Sequence, residues 1–445
     1  MDEIDWNAAG REVTQQLQRL IQFDTTNPPG SETSCVEYIA ETLRGDGYEP
    51  VTLESVPGRG NVVARLPGNG EKAPLLIYGH VDVVPTEPDK WSHDPFSGDN
   101  TDGCIWGRGA LDMKSLVAME LLCMQLLARQ RLPLKRDVIF AATADEESGG
   151  EMGAGWLVEN HPDLIRSEFA LSEGAGSTLQ VGNKRFYGVR TAEKATARFH
   201  LRASGPPGHG SIPRSDTSVH AIAEAVNKLY NNRLPLHLSA TATRYLQTMA
   251  RAVGVNISGK IDEFAVDRVA GKLPIDLARS LQAIVRNTAV PTGLKAGSKI
   301  NVIPSVAEAS VDARIVPGST VEELHAEVQA IVGPDVEIEQ IDRGVPQEVE
   351  PDDDLYAVIE RTLRDHEPSA EVIPVMLTGA TDARWISLLG SRCLGFGPLS
   401  VPSGFSTEGL VHGHDERIPI SGLVWGAQVF YEVVRDFALG TRGQS

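Results

Sequence analysis

The side chains best suited to chemistry in this sequence are histidines and carboxylates that stand directly after short apolar segments. His80 and Asp82 follow LLIYG, the pair Glu146-Glu147 follows VIFAATAD, and Glu173 follows FALS. In open α/β sheets the loops beyond the carboxyl ends of the strands converge, and ligands bind there. If these segments are strands of one sheet, the five side chains gather at one edge of it.

Three further candidates lie in loops ahead of predicted helices. Asp112 is in GRGALDMK, and His412 and His414 are in VHGHDERI. Imidazole and carboxylate groups bind zinc at about 2.0–2.2 Å. Two ions fit the whole set better than one, because Asp112 can bridge them while each ion takes one histidine and one further carboxylate, and one glutamate remains for proton transfer. The alternative, that acidic residues simply occupy solvated loops of an acidic protein, suits any one residue better than it suits the set.

The adjacent pair Glu146-Glu147 is the sharpest local signal. Neighbouring carboxylates repel each other, so one of them requires a positive partner. One glutamate can bind a metal while the other accepts a proton as a general base, although an isolated Glu-Glu pair is more often a solvated turn. His80-Val81-Asp82 adds an orienting element, because Asp82 can accept the second ring N–H of His80 and thereby fix its tautomer.

Length and charge exclude several classes of protein. The chain has 445 residues, roughly three times a usual domain, which predicts two domains or one inserted in another. Its 41 Lys+Arg and 60 Asp+Glu give a net charge of −19 without a basic run for nucleic acid. No stretch reaches the roughly 18 apolar residues of a membrane span. The acidic, polar start and four scattered cysteines predict a cytoplasmic protein with reduced thiols.

Apolar periodicity predicts an α/β fold for the first 180 residues. Helical periodicity covers 11–23 and 114–130, and strands are predicted to begin near Asn61, Ala73, Asp137 and Glu168. Helices that alternate with short apolar strands are typical of a largely parallel sheet flanked by helices.

From about Glu193 the pattern changes to longer, alternating strands around two helices. The segments KATARFHLRA, SVHAIAEAVNKLYNN, SKINVIPSVAEASVDARIV, TVEELHAEVQAIV and DVEIEQI predict a β-α-β-β-α-β unit with an insertion after its first helix. A helix after Glu350, the strand EVIPVM and a last helix from Ile420 resume the first domain. We therefore predict a catalytic domain formed by 1–190 and 349–445, with a smaller α+β domain, 191–348, inserted in it.

Eight motifs occur along the chain in an order that one enzyme family shares. They are GHVDVVP (79–85), GRGALDMK (107–114), ADEESGG (144–150), SEGAG (172–176), GPPGHGSIP (205–213), NVIPS (301–305), TGATDARWI (378–386) and HGHDERI (412–418). In these motifs the sequence resembles the co-catalytic zinc aminoacylase/carboxypeptidase family, which includes aminoacylase-1, glutamate carboxypeptidase, acetylornithine deacetylase and succinyl-diaminopimelate desuccinylase. The resemblance implies a zinc-peptidase-like mixed sheet flanked by helices, and an inserted lid or dimerisation domain.

The resemblance assigns two zinc ions to five side chains. The ligands of the first ion are His80, Asp112 and Glu173, and those of the second are Asp112, Glu147 and His412. Co²⁺ or Mn²⁺ could occupy the same ligands. Glu146 is implied to be the general base, and Asp82 to orient His80. The family's last ligand stands four residues before the glutamate of an HxxxE motif, which favours His412 before Glu416 over His414.

Substrate contacts also follow from the resemblance. His209 in GPPGHGSIP would polarise the scissile carbonyl, often from the partner subunit, whereas a lone loop histidine is usually polar surface. The positions implied to hold the carboxylate and backbone of the substrate are Asn301, Arg314, Gly379 and Arg384. A guanidinium suits bidentate carboxylate recognition, and an intraprotein salt bridge is the alternative for Arg384.

Sequence and resemblance together predict a dizinc hydrolase that cleaves the amide bond of N-acyl amino acids or of short peptides with a free C-terminal carboxylate. Relatives with glutamate at the position of Glu173 tend to be aminoacylases and carboxypeptidases. A dipeptidase or carboxypeptidase acting on true peptides is the alternative enzyme, and a catalytically idle, metal-stabilised binding protein is the alternative outside the enzymes. The expected partners are a small molecule or peptide with a carboxylate and, through the inserted domain, a second copy in a homodimer, with neither nucleic acid nor membrane.

Overall fold

Helices and strands alternate along the chain, and most follow the apolar periodicity of the sequence. A computed structural model describes residues 4–351, 354–402, 404–407 and 409–440. The helices are α1 (Trp6–Ile21), α2 (Thr33–Gly45), α3 (Lys114–Gln130), α4 (Ala154–Asn160), α5 (Pro162–Ile165), α6 (Ser218–Asn231), α7 (Ala240–Ala252), α8 (Glu263–Ala270), α9 (Ile275–Ile284), α10 (Val321–Val332), α11 (Asp354–His366), α12 (Ala383–Ile386) and α13 (Ile420–Leu439). The strands are β1 (Val51–Glu54), β2 (Gly60–Leu66), β3 (Leu75–His80), β4 (Asn100–Thr101), β5 (Cys104–Trp106), β6 (Val138–Thr143), β7 (Phe169–Ser172), β8 (Thr178–Val181), β9 (Lys184–Glu193), β10 (Ala195–Thr196), β11 (Phe199–Ser204), β12 (Gly208–His209), β13 (Thr288–Ala296), β14 (Val302–Ile303), β15 (Val306–Ile315), β16 (Val336–Gln340), β17 (Gln347–Glu348), β18 (Glu371–Leu377), β19 (Arg392–Gly395) and β20 (Arg417–Pro419).

The described chain divides into two units. Unit 1 comprises the described residues of 1–190, 351–373 and 381–445, and unit 2 comprises 191–350 and 374–380. The chain passes from the first unit to the second within β9. The predicted inserted domain, 191–348, is one continuous segment, whereas unit 2 also contains 374–380.

A mixed sheet with the order β1-β2-β6-β3-β7-β19-β9 forms the centre of unit 1. The pairs β6/β3, β3/β7 and β7/β19 are parallel, and the flanking pairs β1/β2, β2/β6 and β19/β9 are antiparallel. The α/β class and the mixed sheet are therefore confirmed, whereas the prediction of a largely parallel sheet is wrong, because parallel pairing is confined to the middle of the sheet. That middle is where the loops with histidines and carboxylates emerge.

Side chains of β3 alternate between two helical layers, as the period of two in a strand requires. Leu76 and Tyr78 pack in a core that also contains residues of α4 and α12. Gly79 faces α3 so closely that a Cβ there would lie 2.5 Å from Met113 and 2.9 Å from Val117. Glycine therefore lets α3 lie directly against the end of β3.

Helix α3 is enclosed on nearly all sides. Its sequence KSLVAMELLCMQLLARQ is apolar around most of its circumference, and the residues from Lys114 to Leu127 are buried. A helix that is apolar all round belongs in a core. The loop with Asp112 leads directly into this buried helix.

Unit 2 has its own antiparallel sheet, ordered β13-β15-β11-β16, with β10 also paired to β15. Along β15 buried and half-buried residues alternate, so one face of the sheet packs in the core of unit 2 with α6 and α10. The observed order β11, α6, β13, β15, α10 and β16 is β-α-β-β-α-β, but β13 lies before the segment 298–316 in which both middle strands were predicted. Within that segment only β15 joins this sheet, and the short β14 pairs with β12 instead. Helices α7, α8 and α9 form the insertion after α6.

Within the described ranges, no helix combines the length and the apolar character needed to cross a membrane.

Candidate metal centre

Three neighbouring parallel strands bring the predicted residues to one edge of the sheet. His80 is the last residue of β3 and pairs in register with Thr143, the last residue of β6. A one-turn 3₁₀ helix, Glu146–Ser148, follows β6 and carries the glutamate pair. Glu173 comes directly after β7, on the other side of β3. The strand-end prediction thus describes the observed positions of these side chains.

Two groups of side chains share Asp112. In the first, His80 Nε2 lies 3.3 Å from Asp112 Oδ1 and 3.8 Å from Glu173 Oε1. In the second, His412 Nε2 lies 3.1 Å from Asp112 Oδ2 and 3.3 Å from Glu147 Oε2. In each group the potential ligand atoms lie within 4.8 Å of one another. The two oxygens of Asp112 therefore face different groups, as a bridging carboxylate requires.

These distances suit divalent ions. Two ligands held at 2.0–2.2 Å around a tetrahedral zinc ion are about 3.3–3.6 Å apart. The measured N–O separations, 3.1–3.8 Å, cover the same interval. Each group also supplies imidazole nitrogen together with carboxylate oxygen, the donor combination that zinc accepts.

Charge supports the same fit, because carboxylates outnumber cations at this edge. Burial raises the pKa of Glu173 to about 8, and the charge of Asp112 acts in the same direction. The carboxylates of Asp112 and Glu147 raise the pKa of His412 to about 10. Glu147 Oε1 is buried without a hydrogen-bond partner in the described chain. Two divalent cations would balance these charges and give Glu147 a partner.

Glu146 lies beside both groups and belongs to neither. Its Oε2 is 3.9 Å from His80 Nε2, and 13% of its side chain is exposed. Burial, reinforced by the charge of Glu173, raises the pKa of Glu146 well above the usual value of a glutamate. A carboxylate of raised basicity beside two candidate metal positions is suited to accept a proton.

The ring of His80 is oriented mainly by main chain. Its Nδ1 lies 2.9 Å from the carbonyl oxygen of Asp82 and 3.5 Å from the Asp82 carboxylate. A carbonyl oxygen only accepts, so Nδ1 carries the proton and Nε2 faces Asp112. The predicted orienting residue is in place, but its backbone makes the shorter contact.

Glu416 holds the loop of Asp112, a role that the sequence analysis did not assign to it. Its carboxylate accepts hydrogen bonds from the N–H groups of Leu111 and Asp112 at 2.7 and 3.1 Å. Nη1 of the buried Arg108 lies 2.7 Å from Glu416 Oε2. The HxxxE spacing was the available signal, and it served only to select His412.

The structure separates the two candidate histidines of VHGHDERI. His412 joins Asp112 and Glu147, whereas His414 Nε2 lies 3.1 Å from Glu87 Oε2. His414 is therefore not brought into either group.

The predicted substrate contacts are distributed over both units. Arg384 lies in unit 1, where it and the indole of Trp385 donate to the Gly149 carbonyl oxygen. The other four, His209, Asn301, Arg314 and Gly379, lie in unit 2. There His209 Nδ1 lies 2.8 Å from Ser211 Oγ, and Arg314 Nε lies 2.7 Å from Asp312 Oδ1. Their roles toward substrate stay predictions.

Comparison with known proteins places this geometry in context. The model of peptidase family M20/M25/M40 matches residues 76–436. The N-fatty-acyl-amino acid synthase/hydrolase PM20D1 of Xenopus tropicalis is 30% identical over 379 residues, which cover 82% of this chain and 72% of that protein. Aminoacylase-1 of Sus scrofa is 26% identical over 432 residues, which cover 95% of this chain and 94% of that protein.

Solved structures share the fold. The M20 family metallo-carboxypeptidase Sso-CP2 of Sulfolobus solfataricus aligns with a TM-score of 0.69 at 18% identity, covering 95% of this chain and 98% of that chain. The YXEP protein of Bacillus subtilis, described as a dinuclear metal binding peptidase, aligns with a TM-score of 0.63 at 15% identity, covering 99% and 100%.

Proposed function

Because the chain belongs to peptidase family M20/M25/M40, and is thus a metal-dependent hydrolase, we propose that it cleaves the amide bond of N-acyl amino acids or short peptides with a free C-terminal carboxylate. One observation carries the proposal. Two groups of potential metal ligands share Asp112, and Glu146 lies beside them without belonging to either.

Zinc is the proposed metal, two ions per chain. The donor set supports it, since each group offers one imidazole and two carboxylates. Co²⁺ and Mn²⁺ bind similar ligands. A relative in fold, the YXEP protein, is described as dinuclear. Metal analysis of protein purified without chelators should give about two ions per chain, and a content of one or none would contradict the proposal.

The mechanism assigns proton transfer to Glu146. Bound zinc lowers the pKa of water and polarises a carbonyl. Glu146 takes a proton from the attacking water and passes it to the leaving amine. His209 is proposed to donate to the developing oxyanion, and Arg384 to hold the carboxylate of the substrate.

The substrate class is supported by the relatives. One is named for fatty acyl amino acids and another is an aminoacylase, so an N-acyl amino acid is preferred here over a true dipeptide. The test is a panel of N-acyl amino acids, their methyl esters and matched dipeptides, assayed with the zinc-loaded enzyme. N-acyl amino acids should give the highest kcat/KM, and the esters should lose most of it. Faster turnover of dipeptides would favour the peptidase alternative, and no turnover of any member would contradict hydrolysis of this class.

A homodimer through unit 2 is part of the proposal. Strand β13 pairs with β15 alone among the described strands, and its Val290 and Leu294 are 54% and 64% exposed. Exposed edge strands readily pair with another chain.

A cytoplasmic location is also proposed. Its support is that all four cysteines are buried and that no disulfide joins them in the described chain.

A further inference from the structure

A buried polar network lies behind the turn that carries Glu146 and Glu147. The carboxylate of Asp82 accepts both backbone N–H groups of that turn, Glu146 N at Oδ1 and Glu147 N at Oδ2, each at 3.1 Å. Asn27 Nδ2 donates to Asp82 Oδ2 at 2.8 Å and to Asp145 Oδ1 at 3.1 Å. Asn27 therefore links the carboxylate of Asp82, which accepts from the turn, to Asp145, the residue before the turn.

Asp145 shapes the turn from its other side. It has a left-handed backbone conformation, φ 73°, which is uncommon for a residue with a side chain. Its Oδ2 accepts the N–H of Met152 at 3.0 Å, and its carbonyl accepts the N–H of Gly150. The Asp145 carboxylate therefore holds the segment from 145 to 152 in its observed path.

Arg59 is the cation at the far end of this network. Its Nη2 lies 2.8 Å from Asp145 Oδ1, and its Nε lies 2.9 Å from Glu32 Oε2. Its Nη1 donates to the carbonyl oxygen of Pro29 at 3.0 Å. Arg59 is 8% exposed and Glu32 is fully buried. A Cβ on Gly30 would lie 2.4 Å from the guanidinium carbon, so the turn at Gly30 fits closely around this group.

We propose that Arg59 is a positioning residue of the metal centre, which acts through Asp145, Asn27 and Asp82 to hold Glu146 and Glu147 in place. The inference rests on the proposed function, because it takes Glu147 as a ligand and Glu146 as the base. The contacts of Arg59 are with Glu32, Pro29 and Asp145, so its effect on Glu146 and Glu147 is indirect. Its contribution is to neutralise Asp145 and to fix the position of Oδ1, the oxygen to which Asn27 also donates.

Three oxygen partners around one guanidinium, each facing a different nitrogen atom, explain why arginine is needed. Arginine offers donors in a fixed planar fork, whereas lysine is a single charged point. Lysine at 59 would keep the positive charge but not the planar fork whose separate nitrogen atoms face Glu32, Pro29 and Asp145. The conservative variant therefore separates charge from geometry.

The test compares Arg59→Lys and Arg59→Met with the wild-type chain. Zn²⁺ affinity is measured by competition with a chelator, kcat and KM are measured on an N-acetyl amino acid, and the thermal midpoint is recorded. Loss of a group that orients metal ligands typically costs about 10–100-fold in metal affinity or activity. We expect a loss of that size in the affinity for the more weakly bound Zn²⁺ and in kcat, with KM changed little and Arg59→Lys affected less than Arg59→Met.

Arg136→Lys is the matched control. Arg136 is 2% exposed, contacts Glu168 at 3.4 Å and lies over the ring of Phe437. Its partners Ala73 and Glu168 precede β3 and β7, at the end of these strands opposite to the metal groups. This variant should lower the thermal midpoint while Zn²⁺ affinity and kcat stay at the wild-type values.

Several outcomes would overturn the inference. If Arg59→Lys, which retains the charge and is the variant expected to fold, keeps wild-type Zn²⁺ affinity and kcat, Arg59 has a structural role only. The same conclusion follows if Arg136→Lys lowers Zn²⁺ affinity as strongly. A wild-type chain that binds two Zn²⁺ but hydrolyses no N-acyl amino acid would contradict the proposed substrate, and the affinity comparison would still decide the role of Arg59. A wild-type chain that binds no metal would overturn both.

Discussion

Adjacent glutamates that face different histidines are the main feature of this site at the scale of single residues. Glu147 Oε2 faces His412 at 3.3 Å, whereas Glu146 Oε2 lies beside His80 at 3.9 Å. Asp82 accepts both of their backbone N–H groups, so one carboxylate holds the turn from which the two side chains extend.

Isosteric variants of this pair should therefore fail in different ways. Glu146→Gln removes the proton acceptor and should lower kcat by about 10²–10⁴-fold while two ions stay bound. Glu147→Gln replaces a proposed ligand and should reduce the metal content toward one ion. Both are checked by kinetics together with metal analysis of the same samples. Retained turnover in Glu146→Gln would remove it from the mechanism, and two tightly bound ions in Glu147→Gln would remove that residue from the ligand set.

The two histidines of VHGHDERI allow a second comparison. His412→Ala deletes the imidazole that faces Asp112 and Glu147 and should cost one of the two ions. His414→Ala should keep both, because His414 contacts Glu87 instead. Metal titration of the two variants side by side decides the matter, and the opposite pattern would show that His414 is the ligand.

The sequence predicted the candidate ligands better than it predicted the residues that hold them in position. His80 ends a strand, the glutamate pair and Glu173 follow strands, and the strands are visible in the sequence as apolar runs. The contact between Asn27 and Asp82 spans 55 positions, and that between Arg108 and Glu416 spans 308. No local pattern marks such long-range hydrogen bonds, so the supporting roles of Asn27, Arg108 and Glu416 were not predicted, whereas Asp82, two positions from His80, was predicted to orient it.

At the scale of secondary structure, burial explains where helices were predicted correctly, and capping explains where a predicted helix boundary was wrong. The helix predicted at 114–130 coincides with α3, because its apolar residues continue around the whole helix. The helix predicted at 11–23 begins at Trp6, since the Asp5 side chain caps it by accepting from the N–H groups of Asn7 and Ala8. Periodicity locates the apolar centre of a helix, whereas capping decides where it begins.

One residue of α3 gives this element a pH dependence. Glu120 is completely buried, and neither of its carboxyl oxygens has a hydrogen-bond partner in the described chain. Burial raises the pKa of Glu120 well above its ordinary value of 4.5, and the charge of Glu173 acts in the same direction. Above pH 4.5 the folded chain keeps a proton that the unfolded chain has lost, so its stability falls as the pH rises toward the raised pKa.

Glu120→Gln cannot titrate at this position, so its stability relative to the wild type should increase as the pH is raised from 5 to 8. The difference in free energy of unfolding should grow by up to about 1.4 kcal/mol per pH unit. Urea denaturation of both proteins in chelator at several pH values measures it. Glu159→Gln, at an exposed position, is the control and should run parallel to the wild type. A constant difference for Glu120→Gln would mean that the Glu120 carboxyl is ionised in the folded protein.

At the scale of the whole molecule, the proposed dimer and the proposed role of His209 can be tested together. His209 lies in unit 2 and Glu146 in unit 1. If His209 serves the site of the partner subunit, a mixed dimer of His209→Ala and Glu146→Gln contains one site with both groups intact. Random exchange of subunits should then restore about a quarter of wild-type activity, although each variant alone is nearly inactive.

Mixing Glu146→Gln with Glu173→Gln is the control, because both changes lie in unit 1 and no mixed dimer has an intact site. Activity that recovers in the control would indicate residual turnover by one variant. Failure of the first mixture to recover, with exchange verified by mass spectrometry, would place His209 in its own subunit or outside catalysis.

The enclosure of α3 has a consequence for how the molecule opens. Amide protons of a helix that is enclosed on nearly all sides exchange with solvent mainly when the surrounding core unfolds, whereas exposed loops open locally at low free-energy cost. Asp112 stands two residues before this helix, and Glu416 also holds its loop, while His412 lies in an exposed loop. On loss of metal, deuterium uptake should therefore rise first around 409–415 and last along 114–127. Asp112, the proposed bridging ligand, would then keep its position, and an ion that binds again would find this part of the site already formed.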